Sequence, residues 1–240
     1  MDISESVLFE DTQLLICHKM AGIAVQTKHF GEQDMESLLR NYLAKKGEKP
    51  YIGIVHRLDQ PVEGVMVFAK NPKAAAALNK QMQNKGFGKY YLAVLQGHLS
   101  EQSATLTHYL RKDGRKNMSF LADEKEPEAK KAVLQYELVE AHPDESLVKI
   151  KLETGRHHQI RVQMAGVGCP LAGDRKYASF MENGPDNEST TDKMKESDGI
   201  ALCSYRIEFI HPVSGKQMQF QIEPKGAAFH KFANLKLLYK

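Results

Sequence analysis

Excess charge is the first thing missing from this 240-residue sequence: 33 basic residues stand against 30 acidic ones, a net charge of +3. A chain that gripped a polyanion through bulk charge alone would be far more basic. Any anion-binding surface must come from sorting the charges, and the acidic residues do gather in 123–128, at Asp144 and Glu145, and in 181–198. Cysteine is scarce. Cys17, Cys169 and Cys203 are odd in number and far apart, which argues against a disulfide framework and a CxxC zinc site and for buried thiols. No apolar run approaches the roughly 20 residues that a membrane helix requires. The start, Met1-Asp2-Ile3-Ser4-Glu5, lacks the basic and apolar segments of a secretory leader, so a cytoplasmic protein with no membrane partner is expected. Internal repeats are also absent.

What is present is ordinary globular composition, 42% hydrophobic and 26% charged. Apolar alternation predicts strands at Leu14–Ile16, Gly64–Ala69, Tyr91–Leu95, Val133–Leu138, Val148–Leu152, Tyr205–Phe209 and Met218–Ile222. Met35, Leu38, Leu39, Tyr42 and Leu43 recur at helical spacing and predict a helix that stops at Gly47. Asn71-Pro72 opens a second helix that Gly86 closes. Ile160, Met164 and Val167 place a third near 156–167, capped by Thr154 or Gly155, and Phe229, Phe232 and Ala233 suggest a fourth at the C-terminus. The pattern predicts one α+β domain over 1–240, a largely antiparallel mixed sheet flanked by helices, with the polar stretch 181–199 as a mobile surface loop.

Four segments carry chemistry. In the first, an apolar run leads into His56-Arg57-Leu58-Asp59, and Pro61 and Gly64 turn the chain before the next strand. Ionisable groups on a loop between buried strands suit catalysis, although a turn aspartate commonly just accepts backbone N–H groups. In the second, Arg156, His157, His158, Gln159 and Arg161 crowd the start of a helix. Adjacent histidines on a helix make a poor metal pair, and a solvated basic face is the plain alternative. Arg161 lies close to the buried edge, where an arginine usually has a carboxylate or phosphate partner. In the third, Lys89-Tyr90-Tyr91, the two rings of a strand point to opposite faces, so one is free to face a cleft. The fourth, Gly168 through Tyr177, is turn-rich and holds Asp174.

In this order the four segments resemble the RluA-type family of RNA pseudouridine synthases. That family carries an HRLD corner, a K-x-Y strand, a G-R-x-H-Q-I-R helix start and a G-x-P-[IL]-x-G-D-x-x-Y loop; here they stand at His56–Asp59, Lys89–Tyr91, Gly155–Arg161 and Gly168–Tyr177. His211-Pro212, Gly215 and Phe220 resemble its closing strand pair. There are departures: Glu63 occupies the usual serine position, Gln163 and Cys203 stand where histidine is common, and the early K-P-A-G turn is Lys19-Met20-Ala21-Gly22. The small S4-type domain that precedes many members is not expected here, because the motifs begin close to the start of the sequence.

The resemblance implies a pseudouridine synthase fold with a central catalytic cleft, RNA (transfer or ribosomal) as partner, a monomer, and no cofactor or metal. Pseudouridine formation breaks the bond from uracil N1 to ribose C1′ and joins C5 to C1′, which is redox-neutral and imports no group. It assigns Asp59 the carboxylate role, either as nucleophile at C1′ or as base at C2′. Arg161 is the expected ion-pair partner that keeps Asp59 charged, and Tyr91 the ring that stacks on uracil. Substrate contacts are expected from Arg57, His56, Arg156, Ile160 and Gln159. Two rivals stand beside this: an RNA-binding module without catalysis, and a carboxylate-dependent glycoside hydrolase with Asp174 or Glu63 as its second acid.

Overall fold

Strand β4 (Glu63–Ala69) organises the first half of the chain because all seven of its residues are buried, which only a strand flanked on both sides satisfies. The computed structural model describes residues 2–27, 29, 31–84, 86–178 and 199–239. The loop expected at 181–199 lies outside the described residues apart from Gly199.

The chain forms two compact units, Met1–Lys89 with Ser204–Glu223, and Tyr90–Cys203 with Pro224–Lys240. In the first, β1 (Val7–Glu10), β2 (Leu14–Lys19), β4, β10 (Leu202–Ile210, entering at Ser204) and β11 (Gln217–Gln221) neighbour one another in that order, and the short β3 (Gly53–Ile54) also pairs with β4. The β2–β4 register is antiparallel, with His18 opposite Val65 and Lys19 opposite Gly64. Gly64 is required by a close approach: a Cβ there would lie 2.4 Å from the Cβ of Ser204.

Helix α1 (Met35–Lys45) starts at a capping box in which Asp34 accepts from the Ser37 N–H and the Ser37 hydroxyl accepts from the Asp34 N–H. Helix α2 (Pro72–Gln83) is capped by Asn71, with Pro72 in its first turn as expected.

In the second unit the order is β5 (Gly88–Gln96), β9 (Glu145–Leu152), β8 (Lys130–Ala141), β6 (Ser103–Asp113) and β7 (Met118–Ala122), every pair antiparallel. Helix α3 (Gln159–Gly166) packs on this meander through Val162 and Ala165, which join Leu110, Ala132 and Tyr177 in one apolar cluster.

All seven expected strands are present. The helix expected near 156–167 begins later, at Gln159: its N-cap is His158, in the left-handed conformation (φ 53°) with no side-chain cap bond, rather than Thr154 or Gly155. The C-terminal helix is instead two 3₁₀ turns, Ala227–Phe229 and Ala233–Tyr239. Among the described residues, no helix is long and apolar enough to cross a membrane.

Candidate active site

The chain leaves β3 at Ile54 and returns as β4 at Glu63, so His56–Asp59 lies on the connection between two strands, as expected. The turn is closed by main chain, with the Val62 N–H donating to the Asp59 carbonyl at 3.0 Å. It is latched to the early glycine turn as well: the Gly22 N–H donates to the Gln60 carbonyl at 2.9 Å, and the Gln60 side chain returns a bond to the Gly22 carbonyl at 3.1 Å. Arg57 is exposed and Asp59 half-buried.

His56 is turned inward. Its Nε2 accepts the Val67 N–H at 3.2 Å and its ring lies 5.5 Å from that of Phe87. Burial, followed by the charge of Lys89, pushes the imidazole down to about 3, so it is neutral at physiological pH. The residue therefore braces the corner against β4.

Sequence reasoning missed one member of this corner. Lys19, the last residue of β2, is fully buried. Its Nζ donates to the carbonyls of Ile23 (2.7 Å), Met20 (3.1 Å) and Gln60 (3.1 Å), using all three of its N–H groups. Burial pushes it down to about 8 against the opposing pull of Asp59 and Glu63. The signal that could have found it is the lysine closing a strand that opens with four apolar residues, just before a glycine turn.

In the second unit, Tyr91 is buried in β5 opposite Ile150 of β9, and Tyr90 is half-buried. Arg161 leaves α3 as a buried guanidinium held bidentately by Asp174: Nε and Nη2 each donate to one carboxylate oxygen at 2.7 Å. Two parallel charge-assisted bonds fix both position and plane. The Arg161 guanidinium also lies 5.1 Å from the centre of the Tyr177 ring. The Tyr177 hydroxyl accepts the Ser119 N–H and bonds His158 Nδ1, both at 2.8 Å. Burial, then the charges of Arg161, His157, Lys176 and Lys112, keep His158 neutral well below its ordinary value.

The two histidines were expected to point apart on a helix. They precede it instead, and the left-handed His158 lets the rings stack with centroids 3.8 Å apart. Gln159 is buried and its amide is committed within the protein: Oε1 accepts from the Thr154 hydroxyl (2.7 Å) and the Arg156 N–H (3.0 Å), and Nε2 donates to the Val133 carbonyl (3.1 Å) and Gln163 (2.9 Å). It builds the turn that presents Arg156, whose exposed guanidinium donates from Nε to the Lys131 carbonyl at 2.9 Å. Ile160 is buried. Among the described residues no three His, Cys, Asp or Glu side chains gather as metal ligands.

Folds of this kind are known. The solved structure of human RNA pseudouridylate synthase domain containing 4 superposes with a TM-score of 0.73 at 20% identity, covering 93% of this chain and 90% of that one. Human RNA pseudouridylate synthase domain containing 1 gives 0.70 at 21% identity, covering 91% and 83%. The architecture is thus that of a pseudouridylate synthase domain.

The sequence goes further, since residues 13–166 match the family described as RNA pseudouridylate synthase. An uncharacterised RNA pseudouridine synthase of Mycoplasma pneumoniae is 30% identical over 236 residues, 98% of this chain and 72% of its own length. The ribosomal large subunit pseudouridine synthase D of Zymomonas mobilis is 32% identical over 231 residues, 92% of this chain and 70% of its own length. The chain belongs to the RNA pseudouridylate synthase family and is an isomerase acting on RNA uridine.

Proposed function

We propose that this enzyme converts uridines of ribosomal RNA to pseudouridine, with Asp59, Tyr91 and Arg161 as its catalytic residues. The observation that carries this is the family match over 13–166, a span that contains all three residues. Ribosomal RNA is favoured over transfer RNA by the relatives from Zymomonas mobilis and Nitrosomonas europaea, both named for the ribosomal large subunit. Asp59 supplies the carboxylate, as nucleophile at C1′ or as base at C2′. Tyr91 offers a rigid ring to the uracil, and Ile160 adds apolar surface beside it. Arg161, held in plane by Asp174, is the fixed cation of the reaction. Arg57, exposed on the corner, contacts the RNA backbone around the everted uridine; flipping that base out costs about a few kcal/mol. The protein works in the cytoplasm as a monomer.

Backbone contact needs a positive surface, and the β6–β7 hairpin supplies one. Lys112, Arg115 and Lys116 are exposed around its turn. That turn is tied to the catalytic helix start, because His157 bonds the Asn117 side chain and Lys176 donates to the Asn117 carbonyl, both at 3.2 Å. The charges of Lys112 and Lys176 are felt at His158. Lys112→Gln and Lys116→Gln are each expected to lower the slope of log affinity against log salt by about 0.7 to 1, with the fold unchanged. Filter binding to ribosomal RNA fragments across a salt series measures it; an unchanged slope in both variants removes the hairpin from the interface.

The deciding experiment is pseudouridine mapping of total RNA from cells with and without the gene. Loss of one or a few ribosomal sites supports the proposal. An unchanged map with intact RNA binding favours the non-catalytic module.

A further inference from the structure

Glu63 is a carboxylate in a place built for apolar side chains. It opens the fully buried strand β4 and is itself 5% exposed. A buried carboxylate is costly without charged or hydrogen-bonding neighbours. Two basic groups from β2 stand near it. His18 Nε2 lies 3.5 Å from Glu63 Oε2 and has no hydrogen-bond partner among the described residues. Lys19 follows His18, and its ammonium feels the charges of both Asp59 and Glu63.

The three carbonyls around the Lys19 ammonium solvate it but bring no counter-charge. Asp59 is a counter-charge that the reaction consumes. If its oxygen bonds C1′, the N1–C1′ bond breaks, the electron pair leaves with uracil and the carboxylate becomes a neutral ester. If it takes the C2′ proton, the C–H pair forms a C1′=C2′ double bond, the N1–C1′ pair leaves with uracil, and the carboxylate becomes a neutral acid. In either case the buried ammonium loses one of its two carboxylates in mid-reaction, and Glu63 is the one that takes no part in the bond changes.

We propose that Glu63 is a positioning residue: it keeps the Lys19 ammonium charged while Asp59 reacts, and so preserves the bond from Lys19 to the Gln60 carbonyl that fixes the Asp59 turn. This rests on Asp59 being the reacting carboxylate. The charges that bear on Lys19 are Asp59 from the corner and Glu63 from β4, and His18 of β2 stands beside Glu63.

The charge of Lys19 is directly observable. Burial brings it to about 8, while Lys46 and Lys70 are raised, so carbon-13 labelling at lysine Cε should show a lysine titrating near pH 8 in the wild-type enzyme. The alkaline limb of kcat should share that midpoint, with KM flat across it. In Glu63→Gln both midpoints should fall by about one pH unit or more, since an opposing charge nearby is worth about 1–3 units. Glu63→Asp, which keeps the charge, should recover most of the shift.

A wild-type Lys19 that stays charged above pH 10 overturns the proposal and needs no variant. So does a Glu63→Gln enzyme whose kcat drops equally at every pH with the limb in place, because that is the mark of a merely structural residue. The lysine titration does not depend on Asp59 being catalytic. An active Asp59→Asn enzyme therefore defeats the Asp59 assignment and is distinguishable from a failure of the Glu63 one.

Discussion

Asp59→Asn is expected to lower turnover by about 10⁴-fold or more while leaving the fold and RNA affinity near wild type. The amide matches the carboxylate in size, so the corner keeps its shape. Its turn is closed by main chain, through Val62 to the Asp59 carbonyl and the two bonds between Gln60 and Gly22. What the amide lacks is the negative oxygen that, in the proposed reaction, attacks C1′ or accepts the C2′ proton. The neighbouring ammonium loses one of its two carboxylates but keeps its three carbonyl acceptors. Tritium release from RNA labelled at uracil C5 reads the reaction, because that position must give up its hydrogen when it joins C1′. Unchanged release would remove Asp59 from the mechanism.

The second large effect is on stability. Asp174→Ala should cost about 3–5 kcal/mol, because it strips a buried guanidinium of a bidentate carboxylate. For a chain of this size that is a fall in melting midpoint on the order of 10 °C. Asp174→Asn should fall almost as far, since one of its two positions becomes a donor facing a donor. The outcome also bears on the glycosidase alternative, in which Asp174 was a candidate second acid. An Asp174→Asn protein that melts like wild type yet is inactive would make Asp174 a reacting group. The expected result, a destabilised protein, leaves it as the residue that holds Arg161.

How much of this was legible depended on range. The corner, α1, α2 and the central strands could be read because their signals are local: a proline after a cap, apolar alternation, a glycine at a turn. Strand β6 was missed because its inward face, Ala104, Leu106, His108 and Leu110, is interrupted by a histidine and only Leu110 on it is fully buried. The start of α3 was misplaced because a left-handed histidine has no sequence signature; tertiary bonds to Tyr177 hold it there. For Arg161 the sequence called for an acidic partner and named Asp59; Asp174, thirteen positions on, is a carboxylate that holds it within its own unit, and spacing alone could not single it out. Lys19 was read only as the start of the Lys19–Gly22 turn, since three carbonyls converging on one nitrogen are a property of the folded loops alone.

Strand β7 closes the β5-β9-β8-β6-β7 order, so among the described residues it has one neighbouring strand, and it carries the half-exposed Leu121. An outermost strand with apolar side chains invites self-association, and nearby lysines and arginines are the usual deterrent. The cations of the 111–116 turn thus have a use in solubility beside the RNA contact proposed for them. Engineers who neutralise several of them to retarget the enzyme should watch for precipitation, and acidic replacements a few positions along the same strand are the natural remedy.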